Sequence, residues 1–129
     1  MPQIFCCPAD RSKRNRDETS YVCVTGQGLI FDGAGCTKMS DILDGTSNTL
    51  MLTETLNPIC WTSPEDTTME QCWTAYLGGY DTFKGISSNH RVYANIGFAD
   101  GGVSSLGYYD FYTIHRLATI AGGETITGL

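Results

Sequence analysis

The sequence contains no run of about 18 apolar residues, so no membrane-spanning helix is expected. No secretory leader is expected from this sequence either, because the first basic cluster, Arg11 to Arg16, has no apolar stretch behind it. Basic charge is scarce: 8 Lys and Arg stand against 14 Asp and Glu, a net charge of -6. That balance argues against nucleic acid as a partner, since phosphate contacts need a basic face. The one basic stretch, Arg11-Ser12-Lys13-Arg14-Asn15-Arg16, is followed at once by Asp17 and Glu18 and reads as a solvated loop.

Catalytic signatures are also absent. No Gly-x-Ser-x-Gly elbow exists: Ser47 lies in Gly45-Thr46-Ser47-Asn48-Thr49, without the second glycine. No Cys-x-x-Cys pair marks a zinc or redox site. The segment from Gly26 to Gly35 is glycine-rich, but it lacks the Lys-Ser/Thr of a phosphate loop and the helix that should follow. These absences point to a non-enzymatic protein.

What is present starts with six cysteines, at positions 6, 7, 23, 36, 60 and 72. Such usage in 129 residues suggests an oxidising, extracytoplasmic compartment with disulfides, buried free thiols being the alternative. The pairing is open, since six cysteines allow about 15 arrangements. The most local candidate is Cys60 with Cys72, whose closed loop is worth about 3 kcal/mol by chain entropy. The length fits a single globular domain, 1–129.

The clearest local pattern runs from His90 to Leu106. Val92, Ala94, Ile96 and Phe98 alternate at the strand period, and Asp100-Gly101 supplies a turn before Val103 opens a second strand. A two-residue turn would set Phe98 opposite Val103 and Ile96 opposite Ser105. Further strands are expected at Tyr21–Thr25, Asn48–Glu54 (with Leu50 and Leu52 on one face, ended by Pro58) and Cys72–Leu77. Ser40 is placed to cap a short turn, and Asp110 to cap a helix over Phe111–Ala118 with Phe111, Ile114 and Leu117 inward. Glu124–Thr127 suits a short edge strand. The expected class is α+β, a mainly antiparallel sheet with short helices.

Ten residues of extended chain cover roughly 33 Å, so His90 and Asp100 read as separate devices and not a catalytic pair: Asp100-Gly101 as a turn, His90 as a structural histidine, with a metal or ligand contact as the alternative. Asp41, Asp44 and Glu54 are oxygen donors of the kind calcium takes, although their spacing is not that of an EF-hand; capping and turn formation are the alternative. Tyr76, Tyr80, Phe83, Tyr108, Tyr109, Phe111 and Tyr112 concentrate aromatic surface late in the chain.

His90, nine residues and Asp100-Gly101, together with Ser40 to Glu54 (SDILDGTSNTLMLTE), Leu117 to Ile126 (LATIAGGETI) and Cys7 to Asp10 (CPAD), resemble in order the motif blocks of the planctomycete family of prepilin-type processing-associated proteins. The resemblance implies a pilin- or pseudopilin-like head domain, which normally follows a hydrophobic N-terminal helix. This chain opens Met1-Pro2-Gln3-Ile4-Phe5 without such a helix, so a truncated or processed soluble domain is expected. It further implies partners among protein subunits of the same or a related kind, and membrane attachment only through the helix this chain lacks. No cofactor is expected, apart from calcium at Asp41, Asp44 and Glu54, which the calcium-stabilised loops of pseudopilins suggest. A solute-binding label used for the same family leaves a second reading open: an extracellular ligand- or carbohydrate-binding module, its cleft lined by residues 26–35 and the late aromatics.

Overall fold

The computed structural model describes residues 1–11, 17–74, 85–90, 92–107 and 111–123. Its centre is a five-stranded sheet built from β1 (Glu18–Thr25), β2 (Leu50–Cys60), β3 (Thr67–Thr68), β4 (Ala94–Phe98) and β5 (Val103–Leu106) in the order β3-β1-β2-β4-β5. All neighbours are antiparallel except β1 and β3. Among the described residues one helix, α1 (Phe111–Ala118), and three 3-10 turns complete an α+β fold.

Periodicity explains which residues reach the core. Ala94, Ile96 and Phe98 of β4 are buried at every second position, as a strand with one face against a core requires. Ile114 and Leu117 of α1, one helical turn apart, are fully buried with Val24, Leu29, Leu50, Ile86 and Leu106. The expected Asp110 cap and the edge strand at 124–127 lie outside the described residues.

The hairpin forms where expected but in a shifted register. Gly97 faces Val103 and Ile96 faces Ser104, with Phe98 N–H donating to the Gly102 carbonyl at 2.8 Å. The loop is therefore three residues, Ala99-Asp100-Gly101. Gly101 N–H donates to the Phe98 carbonyl, and Gly101 alone takes a positive φ, +87°. This is a turn followed by a left-handed glycine; the two-residue alternative would require a positive φ at Asp100 too, and no non-glycine residue adopts one among the described residues.

Four other expectations are corrected. Pro58 does not end β2, which runs to Cys60, because the register against β1 jumps from Thr19↔Ile59 to Tyr21↔Glu54. Pro58 falls within that irregularity, where no ladder hydrogen bond is asked of it. A second irregularity, between Leu50 and Leu52 against β4, breaks the alternation, so Leu50 and Thr53 are buried while Leu52 is half-buried. Of the strand expected at Cys72–Leu77, Cys72 to Thr74 belong instead to a 3-10 turn, Gln71–Thr74, and 75–77 lie outside the described residues. Thr68 Oγ1 accepts from Gln71 N–H and Gln71 Oε1 accepts from Thr68 N–H, a reciprocal closure that favours the turn over extension. The 3-10 turn Met39–Asp41 starts after Lys38, and it is Asp41, not Ser40, that caps it, accepting from Lys38 N–H at 2.9 Å.

The Cys60–Cys72 disulfide is not formed. Cys60 is exposed at the end of β2 and Cys72 is completely buried in the core, so the two thiols face different surroundings; all six cysteines are free. Burial pushes the Cys72 thiol up to about 12, and burial followed by the Asp66 carboxylate does the same to Cys23.

Two predictions arise from this framework. Gly101→Ala forces a side chain into left-handed backbone and should cost about 1–2 kcal/mol in urea unfolding, whereas Val103→Ala on the exposed face should cost little. Between the ordinary thiol value and about 12, the unfolded chain has lost thiol protons that the folded chain keeps, so stability should fall as pH rises through that window. The urea midpoint should drop from about pH 8 to about pH 10.5 and drop less in Cys72→Ala; equal drops would show that Cys72 does not titrate as its burial demands.

Candidate functional site

The site forms where β2 carries a carboxylate into the interior. Glu54 pairs with Tyr21 across the β1–β2 ladder and is 1% exposed. A buried carboxylate is tolerated only where its oxygens are met by donors. Oε2 accepts from Ser88 Oγ and from Asn95 N–H, both at 2.8 Å, and Oε1 accepts from Asn95 Nδ2 at 3.3 Å. The donors come from the 85–90 segment and from β4, so Glu54 joins β2 to both.

Ser88 also receives the His90 N–H at 3.1 Å, which fixes where the His90 ring starts. The ring stacks on Tyr93 at 4.6 Å between centroids and 12° between planes. Its Nε2 then lies 3.7 Å from Glu54 Oε1 and 3.5 Å from Cys7 Sγ, which arrives from the opening segment and is 3% exposed. Cys7 Sγ, Glu54 Oε and His90 N form a group of donor atoms within 4.8 Å of one another. Cys7, Asp10, Ser20, Glu54 and Ser88 line a space beneath it with no room for a water molecule. Ser20 Oγ is buried there without a hydrogen-bond partner among the described residues.

The electrostatics oppose a free thiolate nucleophile. Burial, then the hydrogen bond and charge of Glu54, push the Cys7 thiol up, the reverse of an activated nucleophile. Tyr21 is pushed up to about 12 by burial first and by Cys7 and Glu54 next. The geometry agrees. A Cys-His relay needs the carboxylate on the imidazole nitrogen away from sulfur, whereas both Cys7 and Glu54 face Nε2.

Of the residues singled out in the sequence, Glu54 and His90 meet here. Asp100 serves its own turn, accepting Gly102 N–H at 2.8 Å. Asp41 caps the turn described above, and Asp44 accepts the backbone N–H groups of Gly122 and Gly123 at 2.7 and 2.8 Å. Neither aspartate joins Glu54, so the three do not make one oxygen cage. Cys7 was missed as a site residue, although it opens the CPAD motif; its partner lies 83 residues away, beyond any local pattern. Of the late aromatics, Tyr112 is exposed, the side chain of Phe111 is not described, and Tyr76, Tyr80, Phe83, Tyr108 and Tyr109 lie outside the described residues.

No family model, curated protein or solved structure matches this chain. Among the described residues no helix is long and apolar enough to cross a membrane.

Glu54→Ala would leave the donors of Ser88 and Asn95 buried without an acceptor. The expected loss in denaturant unfolding is about 3 kcal/mol or more; a loss below about 1 kcal/mol would show that the network does not hold the sheet to the 85–90 segment.

Proposed function

We propose that this chain is the non-enzymatic, extracytoplasmic head domain of a pilin-like subunit of the prepilin-type processing-associated family, acting in surface or filament assembly through contacts with subunits of the same or a related kind. The observation that carries the proposal is that the motif blocks behind the resemblance bind one another. Glu54, at the end of the DGTSNT block, meets His90 and the Ser88 beside it, and His90 meets Cys7 of CPAD. Asp44 holds Gly122 and Gly123 of the C-terminal block. The Asp100-Gly101 hairpin docks on the DGTSNT loop, with Ala99 and Asp100 N–H donating to the carbonyls of Thr49 and Thr46. A signature spent on internal fastening suits a scaffold that presents surface. Apolar side chains remain available for contact: Ile4 is 80% exposed, and Phe5 stacks on Trp61 at 5.6 Å with both rings partly open.

A binding module is the second reading, favoured by a groove of about 440 Å³ lined by Gly26, Gln27, Asp32, Thr68 and Glu70. Its acidic and amide groups suit a polar ligand such as a carbohydrate.

In cells producing the chain with its natural flanking sequence, protease added outside the intact cells should digest it, and shearing should release it with surface material. Complete protection until lysis would overturn the extracytoplasmic proposal. Glycan-array binding abolished by Asp32→Ala would favour the second reading over subunit contact.

A further inference from the structure

We propose that Cys7, Glu54 and His90 bind a zinc ion through Sγ, Oε1 and Nε2. Zinc bonds of about 2.3 Å to sulfur and about 2.0–2.1 Å to nitrogen and oxygen, arranged tetrahedrally, separate the ligand atoms by about 3.5 Å along the S···N edge and about 3.4 Å along the N···O edge. The corresponding separations here are 3.5 and 3.7 Å, and the three donor atoms lie within 4.8 Å of one another.

No single proton can bridge all three atoms. Nε2 of a neutral imidazole carries one proton or one lone pair. A proton there serves Sγ or Oε1 but not both, and a lone pair there faces a carboxylate oxygen. A cation meets all three donors at once. It also balances charge, since a divalent ion with one thiolate and one carboxylate is neutral, which suits a place where Cys7 and Glu54 are 3% and 1% exposed. No Lys or Arg pairs with Glu54 among the described residues.

The surroundings are those of a fastened ligand set. Asn95 and Ser88 hold the Glu54 carboxylate, and Tyr93 holds the plane of the His90 ring, the outer contacts that orient metal ligands. Ser20 Oγ, buried and unbonded, lines the same space. Sulfur and imidazole donors select zinc over calcium or magnesium, which take oxygen. Three protein ligands leave one position for an external donor. The space beneath is too small for water, so that donor must enter from the side where the His90 side chain is 24% exposed. Binding releases the Cys7 thiol proton to solvent, and an imidazole proton on Nε2 is displaced, leaving the neutral ring protonated at Nδ1.

The test uses cobalt(II) as a spectroscopic stand-in and zinc itself as competitor, on the reduced full chain. One equivalent of cobalt should give a thiolate-to-metal charge-transfer band with tetrahedral visible absorption, bleached by one equivalent of zinc. Cys7→Ser should abolish the band and Cys36→Ser, at an exposed cysteine, should keep it. Asn95→Ala, which removes the side-chain donor that positions Glu54 Oε1, should weaken binding roughly 10–100-fold. Should Cys7→Ser fail to fold, His90→Ala, at a partly exposed ring, decides: it too should abolish the band. Absence of the band, or its survival in folded Cys7→Ser or in His90→Ala, would overturn the assignment.

Discussion

The structure turns on the need of one buried carboxylate for donors. Glu54 sits in the middle of the longest strand, where an ionised group loses its hydration and regains it only from protein. Its two oxygens draw Ser88, the Asn95 backbone and the Asn95 side chain to fixed positions, and its backbone carbonyl takes the N–H of Ser87. Ser87 Oγ in turn accepts Leu56 N–H at 2.8 Å. The 85–90 segment is thus laid along β2 by polar bonds, and only Ile86 within it contributes a large apolar side chain to the core. Hydrophobic burial holds the sheet to α1. Polar satisfaction decides where the segment preceding β4 lies, and therefore where His90 points.

The same logic recurs at smaller scale. Asp44 stands before β2 and takes two consecutive amides just beyond α1, the arrangement by which a carboxylate fixes a glycine pair without any side chain to pack. Leu43 and Asp44 also give their own N–H groups to the Ile120 carbonyl, so the two loops are bonded in both directions. Thr46 and Thr49 offer carbonyls to the hairpin tip. Loops that carry glycine and short polar residues, and hence little apolar area, are here held by hydrogen bonds to charged or backbone groups, each worth about 1–3 kcal/mol when the partner is ionised.

Much of this was legible in the sequence where the signal is local. The alternation through Phe98, the helical spacing of Ile114 and Leu117 and the β-branched run at Tyr21–Thr25 each identify an element correctly, because burial on one face imposes a period the chain must obey. Errors arise where a side chain overrides the period. Asp100-Gly101 fits either turn, and the choice depends on Asp100 keeping a negative φ. Pro58 reads as a stop until a bulge removes the demand for its missing N–H. Trp73, Ala75 and Leu77 alternate, yet Thr68 and Gln71 close the chain into a turn at Gln71–Thr74.

The candidate site was legible by residue type but not by partnership. Glu54 stood out as a carboxylate and His90 as a motif residue, but neither spacing nor periodicity reveals that a strand interior, a loop and the opening segment converge on one imidazole nitrogen. Grouping Glu54 with Asp41 and Asp44 followed nearness in sequence and pointed to a hard, oxygen-only ion. Tertiary contact replaces the two aspartates with sulfur and nitrogen and moves the preference to a softer ion. Sheet geometry drives that replacement. Asp41 and Asp44 precede β2 and turn to amides in their own loops, whereas Glu54, four residues into β2, is carried inward to face the strand neighbours that bring Tyr21 and Asn95 beside it. A carboxylate so placed must find its partners among whatever the neighbouring segments supply, and here, beside its hydrogen-bond donors, they supply a thiol and an imidazole.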